Sequence, residues 1–235
     1  MKYALLSEKT PKNCLRQLCQ LGFTPLLLPP FDKLSEPVCT HADMLLFSYK
    51  DLVITHEDYY EKAKDIFDTI KNECGVSIVT TKDNIEKSYP HDIAYNAIML
   101  GGRLYSNTKH TSTAVSSLAH EHEHVSQGYA ACSTLALGEM AVITADPSLC
   151  RAYEKNNVDV CLIRQGNISL QPYEYGFIGG ASGVFSDTVY FCGNIDSHPD
   201  AEMIKSMISK HGMKYISLSG EELFDVGGIK FFECK

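Results

Sequence analysis

Gly128-Tyr129-Ala130-Ala131-Cys132-Ser133 decides the fold, because four stretches of similar small-residue character recur along the chain. They are His41-Ala42-Asp43-Met44-Leu45, Asp92-Ile93-Ala94-Tyr95-Asn96-Ala97, Gly179-Gly180-Ala181-Ser182-Gly183 and Asp225-Val226-Gly227-Gly228-Ile229. Small side chains at recurring positions predict crowding, with backbones converging on a common place.

Working outward, each stretch stands near a β-rich run that ends in a small or polar residue: Leu52–Thr55, Arg103–Ser106, Ala141–Thr144, Val189–Gly193 and Tyr3–Ser7. A second set of runs follows helical segments: Thr24–Leu28, Val76–Val79, Glu123–Ser126, Val158–Ile163 and Lys214–Leu218. Strands alternating with helical patterns predict an α/β fold rather than a sandwich. Between Glu57 and Glu73, Tyr60, Ala63, Phe67 and Ile70 keep helical spacing, as do Met203, Ile204, Met207 and Ile208 further on. Asp146-Pro147 and His198-Pro199 read as helix starts, with Pro at the first helical position.

The ends of the first set, Thr55, Ser106, Thr144 and Gly193, are 51, 38 and 49 residues apart. From Gly193 the next step runs 42 residues to Lys235 and resumes over the 7 residues to Ser7. The repeat therefore closes only if the two chain ends meet. The expected architecture is a five-bladed β/α propeller, pseudo-fivefold, whose last blade is shared by the amino and carboxyl termini.

No Pro-, Gly- or Ser-rich tract or charge block interrupts the 235 residues, so one domain over 1–235 is expected. With a net charge of −8 the chain lacks the basic face of a nucleic-acid binder; a neutral or cationic small molecule is the expected partner. The apolar run near Met1 is too short for a signal peptide, and no window approaches the ~18 apolar residues of a membrane span. A cytoplasmic protein with no membrane partner is the expectation, and the oligomeric state is left open. The nine cysteines are scattered with no C-x-x-C pair, which predicts neither a disulfide framework nor a zinc ribbon. Cys14, Cys19, Cys150, Cys161 and Cys192 sit in apolar stretches and are expected to be buried.

The pattern resembles the pentein fold of the guanidine-group-modifying enzymes, which include arginine deiminase, dimethylarginine dimethylaminohydrolase and the amidinotransferases. The resemblance spans the chain and is most specific at 127–133, 143–146, 176–183 and 225–228, where it is closest to uncharacterised bacterial members. It implies a Cys nucleophile after a glycine-rich segment near the carboxyl end, a His opening the fourth unit, and carboxylates that hold the guanidinium. Here Gly227-Gly228 is followed by Ile229-Lys230-Phe231, with Cys234 too late, and Gly179-Gly180-Ala181-Ser182 stands where that His would be. The family's usual Cys/His pair is thus missing from the matching positions, and its catalytic residues are not carried over.

If the small-residue stretches converge, Asp43, Asp92, Asn96, Gln127, Cys132, Ser133, Ser182 and Asp225 meet near one axial site. Carboxylates around a pocket suit a cation such as a guanidino or amino-acid-like metabolite; the plainer reading is a polar core that satisfies backbone amides. Cys132 is the candidate nucleophile of an active hydrolase or amidinotransferase-like enzyme, with His198 as its candidate partner. An inert buried thiol, a capping His198, and a purely non-catalytic interaction module are the competing readings. His120, His122 and His124 alternate and would share one face of a strand, a conceivable metal site, but no fourth ligand is apparent. No metal or cofactor is expected. The Gly176–Gly183 run matches no phosphate-loop pattern, and Tyr173, Tyr175 and Phe177 either gate the pocket or pack beside it.

Overall fold

The computed structural model describes residues 1–234. Its strands form five separate three-stranded sheets. Strand β1 (Lys2–Ser7), helix α1 (Lys12–Gln20) and β2 (Phe23–Leu28) form the first parallel strand-helix-strand unit. The next comprises α2 (Ala42–Leu45), β3 (Leu46–Tyr49), β4 (Leu52–His56), α3 (Glu57–Lys62), α4 (Lys64–Cys74) and β5 (Ser77–Thr81). Then come β6 (Ile98–Leu100), β7 (Arg103–Ser106), α5 (Thr113–Ser116) and β8 (Glu121–His124), followed by β9 (Thr134–Ala136), β10 (Ala141–Thr144), α6 (Pro147–Lys155) and β11 (Asp159–Leu162). The last unit holds β12 (Ser182–Phe185), β13 (Thr188–Phe191), α7 (Ala201–Lys210) and β14 (Lys214–Ser217), and β15 (Lys230–Glu233) follows it.

In every sheet the middle strand belongs to the first expected set and pairs in parallel with a strand of the second set. The third strand, antiparallel to the middle one, directly follows a small-residue stretch or, for β12, begins inside one, and the sequence does not announce it as a strand. These third strands are only 3 to 4 residues long, and pairing with the middle strand rather than a local pattern makes them strands. The two chain ends do meet: β15 pairs antiparallel with β1, Tyr3 opposite Phe232.

The helices lay apolar faces on these sheets. In α4, Phe67 and Ile70 are fully buried, and Gly75 ends the helix at φ +71, a left-handed conformation that suits glycine. The expected helix over 57–73 is broken at Ala63 into α3 and α4, because that residue leaves helical geometry at φ −108 and ψ 28. Likewise α7 begins at Ala201 rather than at Pro199, after a short 3-10 turn at Ile195–Ser197, and its Met203 is exposed, not in the core. Cys19 is also exposed, on the outer side of α1, whereas Cys14, Cys150, Cys161 and Cys192 are buried.

The five small-residue stretches are joined to one another in a cycle of hydrogen bonds. Asn96 Nδ2 donates to the Asp43 carbonyl, Ala131 N to Asn96 Oδ1, Gly180 N to the Cys132 carbonyl, Gly228 N to the Gly180 carbonyl, and Asp43 N to the Gly227 carbonyl. Glycine is needed at two of these places. A Cβ on Gly180 would lie 2.1 Å from Asp225 Oδ1, and one on Gly227, held at φ +79, would lie 2.2 Å from the His41 Cβ. No described helix is long and apolar enough to cross a membrane.

Candidate functional site

The stretch 225–229 follows the last parallel strand, and tight turns at Gly227 and Gly228 bring Asp225 against the stretch 41–45. Asp225 is buried; its Oδ2 accepts from Phe177 N at 2.8 Å and its Oδ1 from Gly227 N at 2.8 Å. His41 Nδ1 stands 3.6 Å from Asp225 Oδ1, with both side chains almost wholly buried. Burial drives the Asp225 carboxyl up to about 6, against the pull of His41 and the two amide donors and with the push of Asp43. A carboxyl poised there is readily ionised when a cation comes to lie beside it, its proton passing to solvent.

Beside this pair, Asn96 serves as the hub. Its Oδ1 accepts from Ala131 N, while Nδ2 donates to the Asp43 carbonyl at 3.0 Å and to Cys132 Sγ at 2.9 Å. Cys132 is buried, and burial together with the Asp43 and Asp225 carboxylates pushes its thiol well above the ordinary range, outweighing the Asn96 bond. Both Asp43 carboxylate oxygens are buried with no N–H or O–H donor on them, and the neighbouring Cys132 thiol is the group that engages this carboxylate. An uncompensated buried carboxylate is costly, and it marks a place where a cationic group would be stabilised.

A cavity of about 260 Å³ opens onto this cluster. His41, Cys132 and Asp225 form its floor, Val38, Met44, Tyr129, Phe177 and Leu170 its walls, and Tyr173, Glu174 and Tyr175 its rim. Tyr173 and Glu174 are exposed, so the loop carrying them faces solvent. Tyr129 and Phe177 lie 6.1 Å apart, centroid to centroid, and Tyr175 stands edge-on to Phe177. Tyr129 OH also donates to Asp92 Oδ2 at 2.8 Å, which fixes the ring; burial raises the Asp92 pKa. Among the described residues the lining contains no Lys or Arg.

The other expected residues lie elsewhere. Gln127 bridges Asp146 Oδ2 and Tyr129 N between neighbouring units, and Ser133 faces a separate small hollow with Asp146 and Ile178. Ser182 donates to the Ile178 carbonyl and borders a basin floored by third strands of several sheets. His198 is buried away from the cavity lining, where its Nδ1 accepts from Asp200 N; burial lowers its pKa. His122 and His124 lie on exposed β8, engaged with the Ala119 carbonyl and with Thr108, and among the described residues no set of three or more His, Cys, Asp or Glu could hold a metal ion. Sequence reasoning passed over His41, Tyr129 and Glu174 as site residues. The first two lie inside quoted stretches, so adjacency to Asp43 and Cys132 was the available signal; Glu174, on an irregular loop, gave none.

A family model described as a family of unknown function, DUF6873, matches residues 5–230, almost the whole of this arrangement. The chain belongs to the DUF6873 family. No curated protein matches its sequence. Among solved structures, this DUF6873 member is similar to the agmatine deiminase of C. jejuni, with TM-score 0.58 and 11% identity over 98% of this chain and 93% of that one. It is similar also to a mutant of dimethylarginine dimethylaminohydrolase from Pseudomonas aeruginosa complexed with citrulline, with TM-score 0.56 and 10% identity over 97% and 95% of the two chains. A third is the inosamine-phosphate amidinotransferase of Streptomyces griseus, with TM-score 0.52 and 14% identity over 94% and 78%. At such identities the likeness is one of fold alone, which this DUF6873 chain shares with the three enzymes.

Proposed function

We propose that the axial cavity binds a small organic cation of the guanidino or amino-acid-like class, with Asp225 as its anionic partner. The observation that carries this is a cavity whose lining holds the carboxyls of Asp225 and Glu174 and, among the described residues, no Lys or Arg, with the buried Asp43 carboxylate engaged only by the Cys132 thiol behind it. Aromatic walls at Tyr129 and Phe177 add cation–π attraction to that charge. Agmatine and dimethylarginine, which occur in the names of two structural neighbours, both carry a guanidinium, so the same chemistry recurs there. We read residues 1–235 as one pentein-type unit, a five-bladed β/α propeller with its last blade shared between the chain ends. The hydrogen-bonded cycle of the five stretches supports that reading.

Binding without covalent chemistry is the better-supported mode. A nucleophilic Cys132 needs its thiolate, which burial beside two carboxylates opposes, and His198 does not line the cavity to act as its base.

The deciding experiment is a thermal-shift series with agmatine, L-arginine and guanidine, with L-glutamate as the anionic control. Ligand at about 100 times its dissociation constant adds ~2.7 kcal/mol of stability, a readily measured rise in Tm. Asp225→Asn is expected to abolish the response. If none of the cations shifts Tm, or if L-glutamate shifts it equally, the reading falls and a non-catalytic interaction module remains.

A further inference from the structure

Cys74 and Cys234 face each other with their Sγ atoms 3.4 Å apart, although 160 positions separate them in the chain. The first ends α4, and the second directly follows β15. Neither residue touches the axial cavity. We propose that these two thiols form an intrachain disulfide when the protein meets a small-molecule disulfide oxidant, fastening the carboxyl end to the helix beside it.

The parts are already in register. Cys234 N donates to the Met1 carbonyl at 2.9 Å, extending the β1–β15 ladder by one bond, and Tyr3 OH donates to Glu73 Oε2 next to Cys74. Cys234 is thus held at the end of the β1–β15 ladder, and Tyr3 of β1 holds Glu73, the residue before Cys74. Cys234 is partly exposed, whereas Cys74 is buried. The first step therefore falls to Cys234: its thiolate attacks one sulfur of the oxidant, the S–S bond breaks, and one thiolate leaves with the electron pair. Cys74 then attacks Cys234 Sγ, loses its proton to solvent and displaces the second thiolate, so two thiols are oxidised for one small disulfide reduced. Burial, first, and then the neighbouring Cys234 push the Cys74 thiol up to about 12. Converting Cys234 to a neutral mixed disulfide removes the second of these obstacles, so the resolving step is eased by the first.

The full-length chain is treated with oxidised glutathione and digested with trypsin without reduction. The expected product joins peptide 72–82 to peptide 231–235, each of which contains one cysteine, at a mass two hydrogens below the sum of the separate peptides. Closing so long a loop should raise Tm by the order of 10 °C over the reduced protein. Cys234→Ser, at a partly exposed terminal position, should keep the reduced Tm and lose both the cross-link and the rise. Glutathione retained on Cys234 with no cross-link, a cross-link from Cys74 to a different cysteine, or a rise that survives in Cys234→Ser overturns the proposal.

Discussion

Asp225 concentrates the chemistry of the site in one side chain. Its carboxyl is pushed to about 6 chiefly by burial, so the folded state holds its proton more tightly than the unfolded chain does. Two pH effects follow with opposite signs. For stability, the folded state binds more protons than the unfolded one between about pH 4 and 6, so this group's contribution declines as pH rises across that window and is flat above it. For a cationic ligand, the ionised form is the binding form. Affinity for agmatine should therefore fall about tenfold per pH unit below 6 and level off above it, as read by calorimetric titration at pH 5, 6, 7 and 8. A flat profile would show that another group carries the ligand's charge. Sequence alone flagged Asp225 but could not supply this behaviour, because it arises from burial, which the missing side chains of Gly180 and Gly227 permit and which His41 and two amide donors only partly offset.

At the scale of elements, legibility followed periodicity. Most of the ten strands of the parallel pairs and the helix starting at Asp146-Pro147 could be read because apolar runs, or a capping residue before Pro, announce themselves; β8, Glu121-His122-Glu123-His124, has no such run, and the expected segment overlaps it only at Glu123 and His124. The hydroxyls that end the middle strands proved structural: Thr55 and Thr144 each donate at 2.8 Å to a carbonyl, of Leu45 and Ser133, in their own unit's small-residue stretch. The third strands and the break at Ala63 were not legible, since tertiary pairing rather than local pattern produces them. Cap strength can be tested at α6. Burial alone would raise the pKa of Asp146, but hydrogen bonds from Ser148, Leu149 and Gln127 outweigh it and hold the carboxyl below its usual range. Asp146→Ala should cost about 1–2 kcal/mol in urea unfolding at pH 7. A carboxyl lowered by folding stabilises above its unfolded pKa near 4 and loses that benefit as pH falls, so the gap between variant and parent should narrow at pH 3. An undiminished gap there would mean that packing, not the charged cap, is at stake.

Across the whole molecule, the site is assembled from separate units. Five stretches far apart in the chain supply its floor and supports, and each is bonded to the next around the cycle, so no unit alone contains this pocket. One sheet is assembled from opposite ends of the chain, while the other four are each continuous. If the units are equivalent, where the chain is cut should matter little. A permutant can test this by linking the carboxyl end to Met1 with a short flexible linker and opening the exposed Gly138–Glu139 turn between β9 and β10. The split then moves from the β15-β1-β2 sheet to the β11-β10-β9 sheet, with every ladder bond retained. Joining ends that already lie side by side adds little strain, and an exposed turn tolerates new termini, so the permutant should unfold cooperatively within about 5 °C of the parent. It should also keep its response to agmatine, because the residues that line the cavity stay on unbroken stretches. A permutant that folds but does not bind would locate binding competence in the particular joint between β1 and β15, whereas one that fails to fold would show that this sheet, not the ring as such, organises the rest.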